Sequence, residues 1–249
     1  MKKMSFFKAL IAVPLSVLHY LFYGFYLILF WPIQWFCLRV LGYEAHRRSV
    51  DLLNTCLNST LYLLASRVRI TNHQDLPTDR PLIVVSNHQS HYDITPLGTA
   101  FRKHHGKYIA KKELGKGIPS VSFNLSHGGS ALIDRKDAKQ SLTAIKNFAQ
   151  FIEKHNYAGM IFPEGTRSKN GQPKRFSENG VKMLVKYAPS ALIVPVTINN
   201  SWKFVKYGQF PLNIGISLEL EVHKPIDPKG RSFAEVFEET KETIIKSIK

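Results

Sequence analysis

The feature that most constrains this chain is a long uncharged segment near its N-terminus. From Ala9 to Leu38, thirty consecutive residues include no Asp, Glu, Lys or Arg. As one straight helix this segment would be about 45 Å long, which exceeds the roughly 30 Å hydrocarbon core of a bilayer. Pro14, Gly24 and Pro32 interrupt the segment, so we expect shorter helical pieces rather than one helix. A run of this length without a charge indicates membrane association.

The same segment is unusually rich in aromatic residues. They are Tyr20, Phe22, Tyr23, Phe25, Tyr26, Phe30, Trp31, Trp35 and Phe36. Because Tyr and Trp favour the membrane–water interface, the pattern favours two short helices that lie in or dip into one leaflet. A single spanning helix is the main alternative, whereas the length of the run disfavours a cleaved signal peptide. Basic residues flank both ends and leave the orientation undecided: Lys2, Lys3, Lys8, Arg39, Arg47 and Arg48.

The net charge of +16 limits the classes of partner that the chain attracts. Such a field attracts anionic lipid headgroups, nucleic acid or acidic soluble partners. The densest basic stretch runs from Thr166 to Lys186, with six Lys or Arg residues and the single acid Glu178. We interpret it as a local anion site or docking face rather than as general solubilisation. Two cysteines are too few for a disulfide framework.

Beyond Arg48, short β-branched runs alternate with helical patterns. The predicted strands are Val68–Thr71, Leu82–Ser86, Tyr108–Ala110, Ser130–Ile133, Gly159–Phe162, Leu192–Ile198 and Ile216–Val222. The predicted helices run from Ser49, a possible N-cap, to about Ser66, from Asp137 to His155, and from about Ser232 to Ser247. This alternation predicts an α/β fold with a mixed, mostly parallel sheet flanked by helices. We divide the chain into an N-terminal membrane-associating helical motif (1–48) and one α/β domain (49–249).

A strand-to-helix turn carries the first chemical candidate. The segment Asn87-His88-Gln89-Ser90-His91-Tyr92-Asp93 follows the predicted strand Leu82–Ser86 directly. A His and an Asp five residues apart can face each other across such a turn, so that Asp93 orients His88 and the other ring nitrogen stays basic. A capping Asp93 beside a merely hydrogen-bonded His88 explains the spacing equally well. Zinc binding by His88, His91 and Asp93 is a third interpretation, but no further ligand pair accompanies them.

A second candidate is Phe162-Pro163-Glu164-Gly165-Thr166-Arg167-Ser168, which follows another predicted strand. Gly165 lets backbone N–H groups approach an anion, and Arg167 can bind phosphate oxygens through two hydrogen bonds. Glu164 can hold a cation or a hydroxyl group.

Two weaker motifs complete the set. Lys111-Lys112-Glu113-Leu114 precedes Ile133-Asp134-Arg135, and both are charged turns after predicted strands. The apolar run Ile193-Val194-Pro195-Val196 contains a proline, which removes a donor from the strand ladder. That strand is therefore expected at an edge of the sheet or beside an opening, where it could line an acyl pocket or simply belong to the core.

Together, these four motifs resemble the glycerolipid acyltransferase family, the PlsC-like 1-acyl-glycerol-3-phosphate acyltransferases. The family pattern is N-H-x4-D, then K-x-E-L with a later I-D-R, then F-P-E-G-T-R-S, then V-P-V. All four occur here in family order between Asn87 and Val196, and the resemblance extends from about Val68 to Val222. It implies an enzyme that moves a fatty acyl group from acyl-CoA or acyl-carrier protein to the free hydroxyl of a lysophospholipid, with no metal and no other cofactor.

The resemblance also implies roles for individual residues. His88 would be the general base, with Asp93 as its orienting partner. The acceptor phosphate would be bound by Lys111, Arg135, Glu164, Gly165, Thr166 and Arg167. Pro195 would belong to the region near the acyl donor. The pair His91-Tyr92 departs from the small, aromatic or aliphatic pair expected there, which leaves the acceptor preference open.

The leading expectation is therefore the conversion of lysophosphatidate to phosphatidate at the cytoplasmic face of a membrane, the inner membrane in a bacterium. The expected partners are the bilayer, the lysophospholipid acceptor and the acyl thioester, without nucleic acid. Acylation of another lysolipid, such as an amino-acid-containing one, is the nearest alternative. A membrane-bound metallohydrolase and a basic binding module for nucleic acid or lipid are alternatives of other classes.

Overall fold

A single seven-stranded sheet organises the computed structural model, which describes residues 4–249; Lys2 and Lys3 of the basic flank lie outside the described residues. The strands are β1 (Arg67–Asn72), β2 (Leu82–Ser86), β3 (Lys107–Lys111), β4 (Ala131–Ile133), β5 (Ala158–Ile161), β6 (Leu192–Asn199) and β7 (Ser217–Val222). Their spatial order is β1-β7-β6-β2-β5-β3-β4. Of these neighbouring pairs, β6 and β7 are antiparallel and the rest are parallel. The predicted mixed, mostly parallel sheet is confirmed.

Helices cover both faces of this sheet. They are α1 (Phe6–Phe36), α2 (Tyr43–Ser59), α3 (Ile94–Ala100), α4 (Val121–His127), α5 (Ala138–His155), α6 (Glu178–Tyr187) and α7 (Phe233–Lys246). Side chains alternate between the faces along a strand, so Leu82 and Val84 of β2 join one core, with Leu97 of α3. Ile83 and Val85 join the core on the other face, which α5, α6 and α7 cover. All five residues of β2 are buried because it lies near the middle of the sheet.

Two of the three predicted helix starts are correct. The Asp137 side chain accepts a hydrogen bond from the Gln140 N–H, and Ser232 forms a capping box at the start of α7. The predicted start at Ser49 is wrong, because α2 begins at Tyr43. Ser49 lies inside the helix, where its hydroxyl donates to the carbonyl of His46, three residues earlier. The boundary that we set between residues 48 and 49 therefore falls within α2.

The expected division of the uncharged segment into short helices is also wrong. Helix α1 continues from Phe6 to Phe36 through both prolines, and a π-helical turn extends it to Leu41. The chain reverses direction only at Gly42, whose φ of +88° suits glycine. Pro14 and Pro32 both lie on the exposed side of the helix. A proline inside a helix costs about 3 kcal/mol, and we attribute the continuity of α1 to the packing of its opposite side.

The buried side of α1 is a stripe at helical spacing: Ala12, Ser16, His19, Phe30 and Gln34. The Leu212 N–H donates to the Ser16 hydroxyl oxygen, and the Ser120 hydroxyl donates to the carbonyl of Leu27. The other side exposes Phe, Trp, Leu, Ile and Val side chains to the surroundings. The span Phe6–Leu41 is long and apolar enough to cross a membrane. Its buried stripe nevertheless packs α1 against the α/β domain.

Candidate active site

The sequence motifs converge at one edge of the sheet. Strands β4, β3, β5, β2 and β6 are mutually parallel, so their carboxyl ends meet at the same edge. Three of the four motifs supply residues at these ends: Lys111 at the end of β3 and Arg135 after β4, Glu164–Arg167 after β5, and His88–Asp93 after β2. The fourth motif, Ile193–Val196, lies inside β6. Ser201 follows the carboxyl end of β6. The topology thereby gathers residues that are more than a hundred positions apart in the chain.

His88 and Asp93 form a hydrogen-bonded pair at this edge. The His88 Nδ1 atom lies 2.7 Å from Asp93 Oδ2. The Asp93 side chain is completely buried, whereas 14% of the His88 side chain is exposed. The Phe162 ring stacks on the imidazole with the ring centroids 4.2 Å apart. Because Nδ1 is engaged by the carboxylate, Nε2 is the ring nitrogen left to take a proton.

Asp93 also organises the turn that carries His88. Its Oδ2 atom accepts the N–H groups of Gln89 and Ser90, at 2.7 and 2.9 Å. The Ser90 hydroxyl in return accepts from the Tyr92 N–H, which completes a capping box. The capping and the orienting interpretations of Asp93 are therefore both true of the same carboxylate. Its cap bonds fix the position from which it holds the imidazole.

Glu164 clamps two loops together through their backbones. Its Oε1 accepts the His88 N–H and its Oε2 accepts the Lys174 N–H, both at 2.8 Å. The His88 carbonyl in turn accepts from the Ser168 N–H at 2.8 Å. Burial raises the pKa of the Glu164 carboxyl, and the two backbone donors oppose that shift. In the structure Oε1 holds the His88 turn and Oε2 holds the backbone at Lys174. The predicted role of Glu164 in acceptor binding stays a prediction.

The predicted phosphate-binding cations occupy neighbouring loops. Lys111 is exposed at the end of β3, opposite Ile133 of β4, and Arg135 follows two residues later. Burial lowers the pKa of Arg135; Glu113 opposes this shift, and the charge of Arg167 adds to it. The loops that carry Arg135 and Arg167 follow strands whose carboxyl ends lie at the same edge of the sheet. Among the residues that the structure describes, neither arginine forms a salt bridge, so both guanidinium groups are available to an anion.

The remaining loop residues support this arrangement. Gly165 adopts a φ of +67°, a left-handed conformation in which a residue with a side chain would be strained. The Lys174 ammonium donates to the Thr166 hydroxyl oxygen at 2.8 Å. Both observations concern the shape of the loop, and their predicted roles in acceptor binding stay predictions.

His91 contributes an uncharged imidazole beside the pair. Burial, together with the charge of Arg167, lowers the pKa of His91 to about 4. The ring is therefore neutral near pH 7. It can donate or accept a hydrogen bond there without adding to the positive charge of the arginines.

Residues 4–249 contain no set of ligands that supports the metal interpretation. No group of three or more His, Cys, Asp or Glu side chains is arranged there to hold an ion. Asp93, which would have to serve as a ligand, already accepts hydrogen bonds from His88 and from two backbone N–H groups.

Pro195 is not at an edge of the sheet, because β6 lies between β2 and β7. It lies at an interruption of the ladder with β7. Ile193 pairs in an isolated bridge with Ile226, and regular pairing with β7 resumes at Val196. The missing N–H of Pro195 falls in this gap, which is the physical reason that a central strand accommodates it. Its predicted place near the acyl donor stays a prediction.

Sequence reasoning gave no role to two residues that build the site. The Asn87 side chain donates to the carbonyl of Ile198 and accepts from its N–H, at 2.8 and 2.7 Å, so it joins the ends of β2 and β6. The first letter of the N-H-x4-D motif marked this residue. The Ser201 hydroxyl donates to Asp93 Oδ1. No local pattern marked Ser201, because its partner lies 108 positions earlier.

Comparisons with known proteins agree with the fold and the motifs. A family model described as Acyltransferase matches residues 67–199, more than half of the chain. A 1-acyl-sn-glycerol-3-phosphate acyltransferase of Borreliella burgdorferi is 27% identical over 181 residues, which are 73% of this chain and 70% of that protein. An enzyme of the same name from Helicobacter pylori is 37% identical over 124 residues, 48% of this chain and 51% of that protein.

A solved structure extends the comparison to almost the full length. The crystal structure of the 1-acyl-sn-glycerophosphate (LPA) acyltransferase PlsC from Thermotoga maritima superimposes with a TM-score of 0.76 at 25% sequence identity. The superposition covers 94% of this chain and 92% of that one, including the region of α1 and α2 that lies outside the family model. With its matching motifs, sheet and family model, this chain belongs to the acyltransferase family and is an acyl-transferring enzyme.

Proposed function

We propose that this enzyme transfers a fatty acyl group from acyl-CoA or acyl-carrier protein to the free hydroxyl of 1-acyl-glycerol-3-phosphate, forming phosphatidate. The observation that carries the proposal is the largely buried His88, held through Nδ1 by a fully buried Asp93, at an edge that also presents Arg135 and Arg167. The relatives from Borreliella burgdorferi and Helicobacter pylori, which are 1-acyl-sn-glycerol-3-phosphate acyltransferases, support the same acceptor.

In the proposed mechanism, His88 Nε2 takes the proton of the acceptor hydroxyl while its oxygen attacks the thioester carbonyl. The C–S bond then breaks, and the protonated imidazole returns a proton to the departing thiolate. A positioned base of this kind contributes about a hundred- to ten-thousand-fold to the rate. Asp93 stabilises the positive charge that His88 carries between the two proton transfers. Alignment of the two substrates supplies a further part of the acceleration.

The acceptor phosphate is proposed to bind between Arg135 and Arg167, with Lys111 at the exposed end of β3. A phosphate monoester accepts bidentate hydrogen bonds from guanidinium groups, which suits two unpaired arginines. The neutral His91 adds a hydrogen-bonding group without a charge. A carboxylate-bearing headgroup could use the same cations, and the product analysis below distinguishes the two.

The donor is proposed to approach the basic stretch from Thr166 to Lys186. A cavity of about 840 Å³ borders that stretch, and its lining includes the cations Lys174, Arg175 and Lys241 together with the acids Glu164, Glu178 and Glu238. CoA carries phosphates and acyl-carrier protein is acidic, so either donor complements this charge. The thioester itself is the co-substrate, and the proposed reaction needs no metal or other cofactor.

The enzyme is proposed to work at the cytoplasmic surface of a membrane, where thioester donors reside. The exposed apolar side of α1 includes Phe22, Phe25 and Trp31, which would enter the bilayer interface. Because the buried stripe of the same helix lies along the α/β domain, insertion of that side would hold the catalytic edge close to the lipid headgroups.

The test is a product analysis with purified protein in detergent or vesicles. It uses a panel of lysolipids that includes lysophosphatidate and amino-acid-containing lysolipids, with acyl-CoA and acyl-carrier protein as separate donors. Mass analysis of the lipids should show phosphatidate as the main product, and His88→Ala should form none. Acylation of a different lysolipid in preference to lysophosphatidate would refute the proposed acceptor. A chelator-sensitive hydrolysis in place of acyl transfer would refute the reaction.

A further inference from the structure

A buried serine lies behind the His88–Asp93 pair. Ser201 begins the short 3₁₀ turn that follows β6, and its exposure is 0%. Its hydroxyl donates a hydrogen bond to Asp93 Oδ1, on the opposite side of the carboxylate from the imidazole. The three side chains therefore form a continuous chain from Ser201 through Asp93 to His88.

The two oxygens of Asp93 are used very differently. Oδ2 accepts from the His88 ring and from the N–H groups of Gln89 and Ser90. Oδ1 accepts from Ser201 alone among the described residues. Because the carboxylate is completely buried, bulk water does not supply a second donor to Oδ1. Among the described residues, Ser201 thus provides the hydrogen bond that disperses the negative charge on Asp93 Oδ1.

Several contacts fix Ser201 in this place. Asn87 holds Ile198 by two hydrogen bonds, which ties the end of β6 to the end of β2 just ahead of His88. Asn200 has a φ of +71°, a left-handed conformation that asparagine tolerates better than most residues, and its side chain donates to the carbonyl of Ser217. The chain therefore turns sharply after β6 and points the next side chain at Asp93.

We propose that Ser201 is a positioning residue for the acyl transfer, which sets the orientation of the Asp93 carboxylate and how strongly it attracts the protonated His88. This inference rests on the proposed role of His88 as general base. A carboxylate that loses a hydrogen-bond donor keeps more negative charge on its oxygens and therefore holds a protonated imidazole more firmly. Without Ser201, His88 stays protonated to a higher pH and is available as a base over a narrower range.

A serine that merely fills space has a different consequence. Its loss would leave a small void and lower the stability of the protein, but it would not change the protonation of His88. The pH dependence of the reaction therefore separates the two roles. In kcat against pH, the acid limb reports the essential base of the enzyme–substrate complex.

The experiment compares Ser201→Ala and Ser201→Cys with the wild type in the full chain, using whichever lysolipid acceptor the wild type acylates. Ser201→Cys keeps the shape of the side chain with a slightly larger atom, but it has only a weak donor. Ser86→Ala is the matched control, because Ser86 is also fully buried at the carboxyl end of a strand, while its hydroxyl donates to the backbone carbonyl of Asn87.

In Ser201→Ala, we expect kcat to fall about tenfold, because the Asp93 carboxylate loses the hydrogen bond on Oδ1 that fixes its orientation toward His88. Both KM values should stay within about threefold of wild type, because no substrate contact is changed. The midpoint of the acid limb should move to a higher pH, by about half a pH unit or more. Ser201→Cys should lie between wild type and Ser201→Ala, and the acid limb of Ser86→Ala should not move.

An acid limb that stays within about 0.2 pH unit of wild type in Ser201→Ala overturns the proposal, whatever the change in kcat. If Ser201→Ala does not fold, the nearly isosteric Ser201→Cys is judged by the same criterion. Because the acceptor is the one that the wild type uses, a different acceptor would refute the proposed function without deciding the role of Ser201.

Discussion

Replacement of Asp93 by asparagine separates the charge of this residue from its geometry. Three donors converge on Oδ2: the His88 ring and the N–H groups of Gln89 and Ser90. An asparagine at this position must direct its carbonyl oxygen toward them, because an amide NH2 group there would face three donors. Its NH2 group then faces the Ser201 hydroxyl, which can rotate and accept. The imidazole should therefore keep its orientation and its tautomer.

What Asp93→Asn removes is the negative charge beside the protonated imidazole. A hydrogen bond to a charged group contributes about 1.5–3 kcal/mol, compared with about 1 kcal/mol for a neutral one. The difference, about 0.5–2 kcal/mol, corresponds to roughly a two- to thirtyfold lower kcat. His88→Ala removes the proposed base itself and should lower kcat by about a hundred- to ten-thousand-fold.

The assay is steady-state acyl transfer by Asp93→Asn, His88→Ala and Asp93→Ala, with the thermal midpoint measured for each. Asp93→Ala leaves the Gln89 and Ser90 N–H groups without their acceptor, which costs about 1–3 kcal/mol for each buried donor. It should therefore lower the midpoint by several degrees, whereas Asp93→Asn should not. A loss of kcat in Asp93→Asn as large as that in His88→Ala would refute the reasoning, because it would mean that the ring is misoriented.

Two further predictions concern the loops around the pair. Arg167→Ala and Arg135→Ala should raise the KM for the acceptor about ten- to a hundredfold, because each loses a charge-assisted bond to the proposed phosphate. Steady-state kinetics with both substrates varied checks this prediction, and an effect confined to the donor KM would contradict it. Glu164→Ala should lower both kcat and the thermal midpoint, because the N–H groups of His88 and Lys174 lose their acceptor. Glu164→Gln, which keeps one acceptor oxygen, should lie in between, and a Glu164→Ala variant with an unchanged midpoint would contradict the clamp.

The strands were predictable from sequence because each is a short apolar or β-branched run, and β2 has the predicted bounds, Leu82–Ser86. Helices α3, α4 and α6 were not predicted. Seven residues, as in α3 and α4, are too few to show a helical period, and α6 belongs largely to the stretch Thr166–Lys186, which we interpreted only as a basic face. In the candidate site, the His88–Asp93 pair follows from local spacing. The bonds of Glu164 to His88 and of Ser201 to Asp93 join positions 76 and 108 apart, and only the folded topology brings them together.

Helix α1 connects the proposed membrane-docking surface to the turn that carries His88 and Asp93. The His19 Nδ1–H donates to the carbonyl of Thr60, and Nε2 faces the Tyr92 hydroxyl at 3.1 Å. Tyr92 stands beside Asp93 in the turn, and its ring packs on Phe204 of the core. Deletion of residues 1–40 would therefore be a poor test of docking, because it would also uncover the core and remove the partner of Tyr92.

A sharper test therefore changes only the outer side of α1. Phe22, Phe25 and Trp31 each expose about half of their side chain. The exposed half of each side chain has an area of roughly 100 Å². Transfer of that area from water into a bilayer is favourable by about 2 kcal/mol for each residue. Replacing all three by serine should weaken binding to vesicles more than a hundredfold and preserve turnover of a short-chain soluble lysolipid. His19→Leu, on the buried side, should keep vesicle binding but lower turnover of soluble and bilayer-embedded substrates alike. Equal losses on both substrates in the serine variant would show that the outer side serves folding rather than docking.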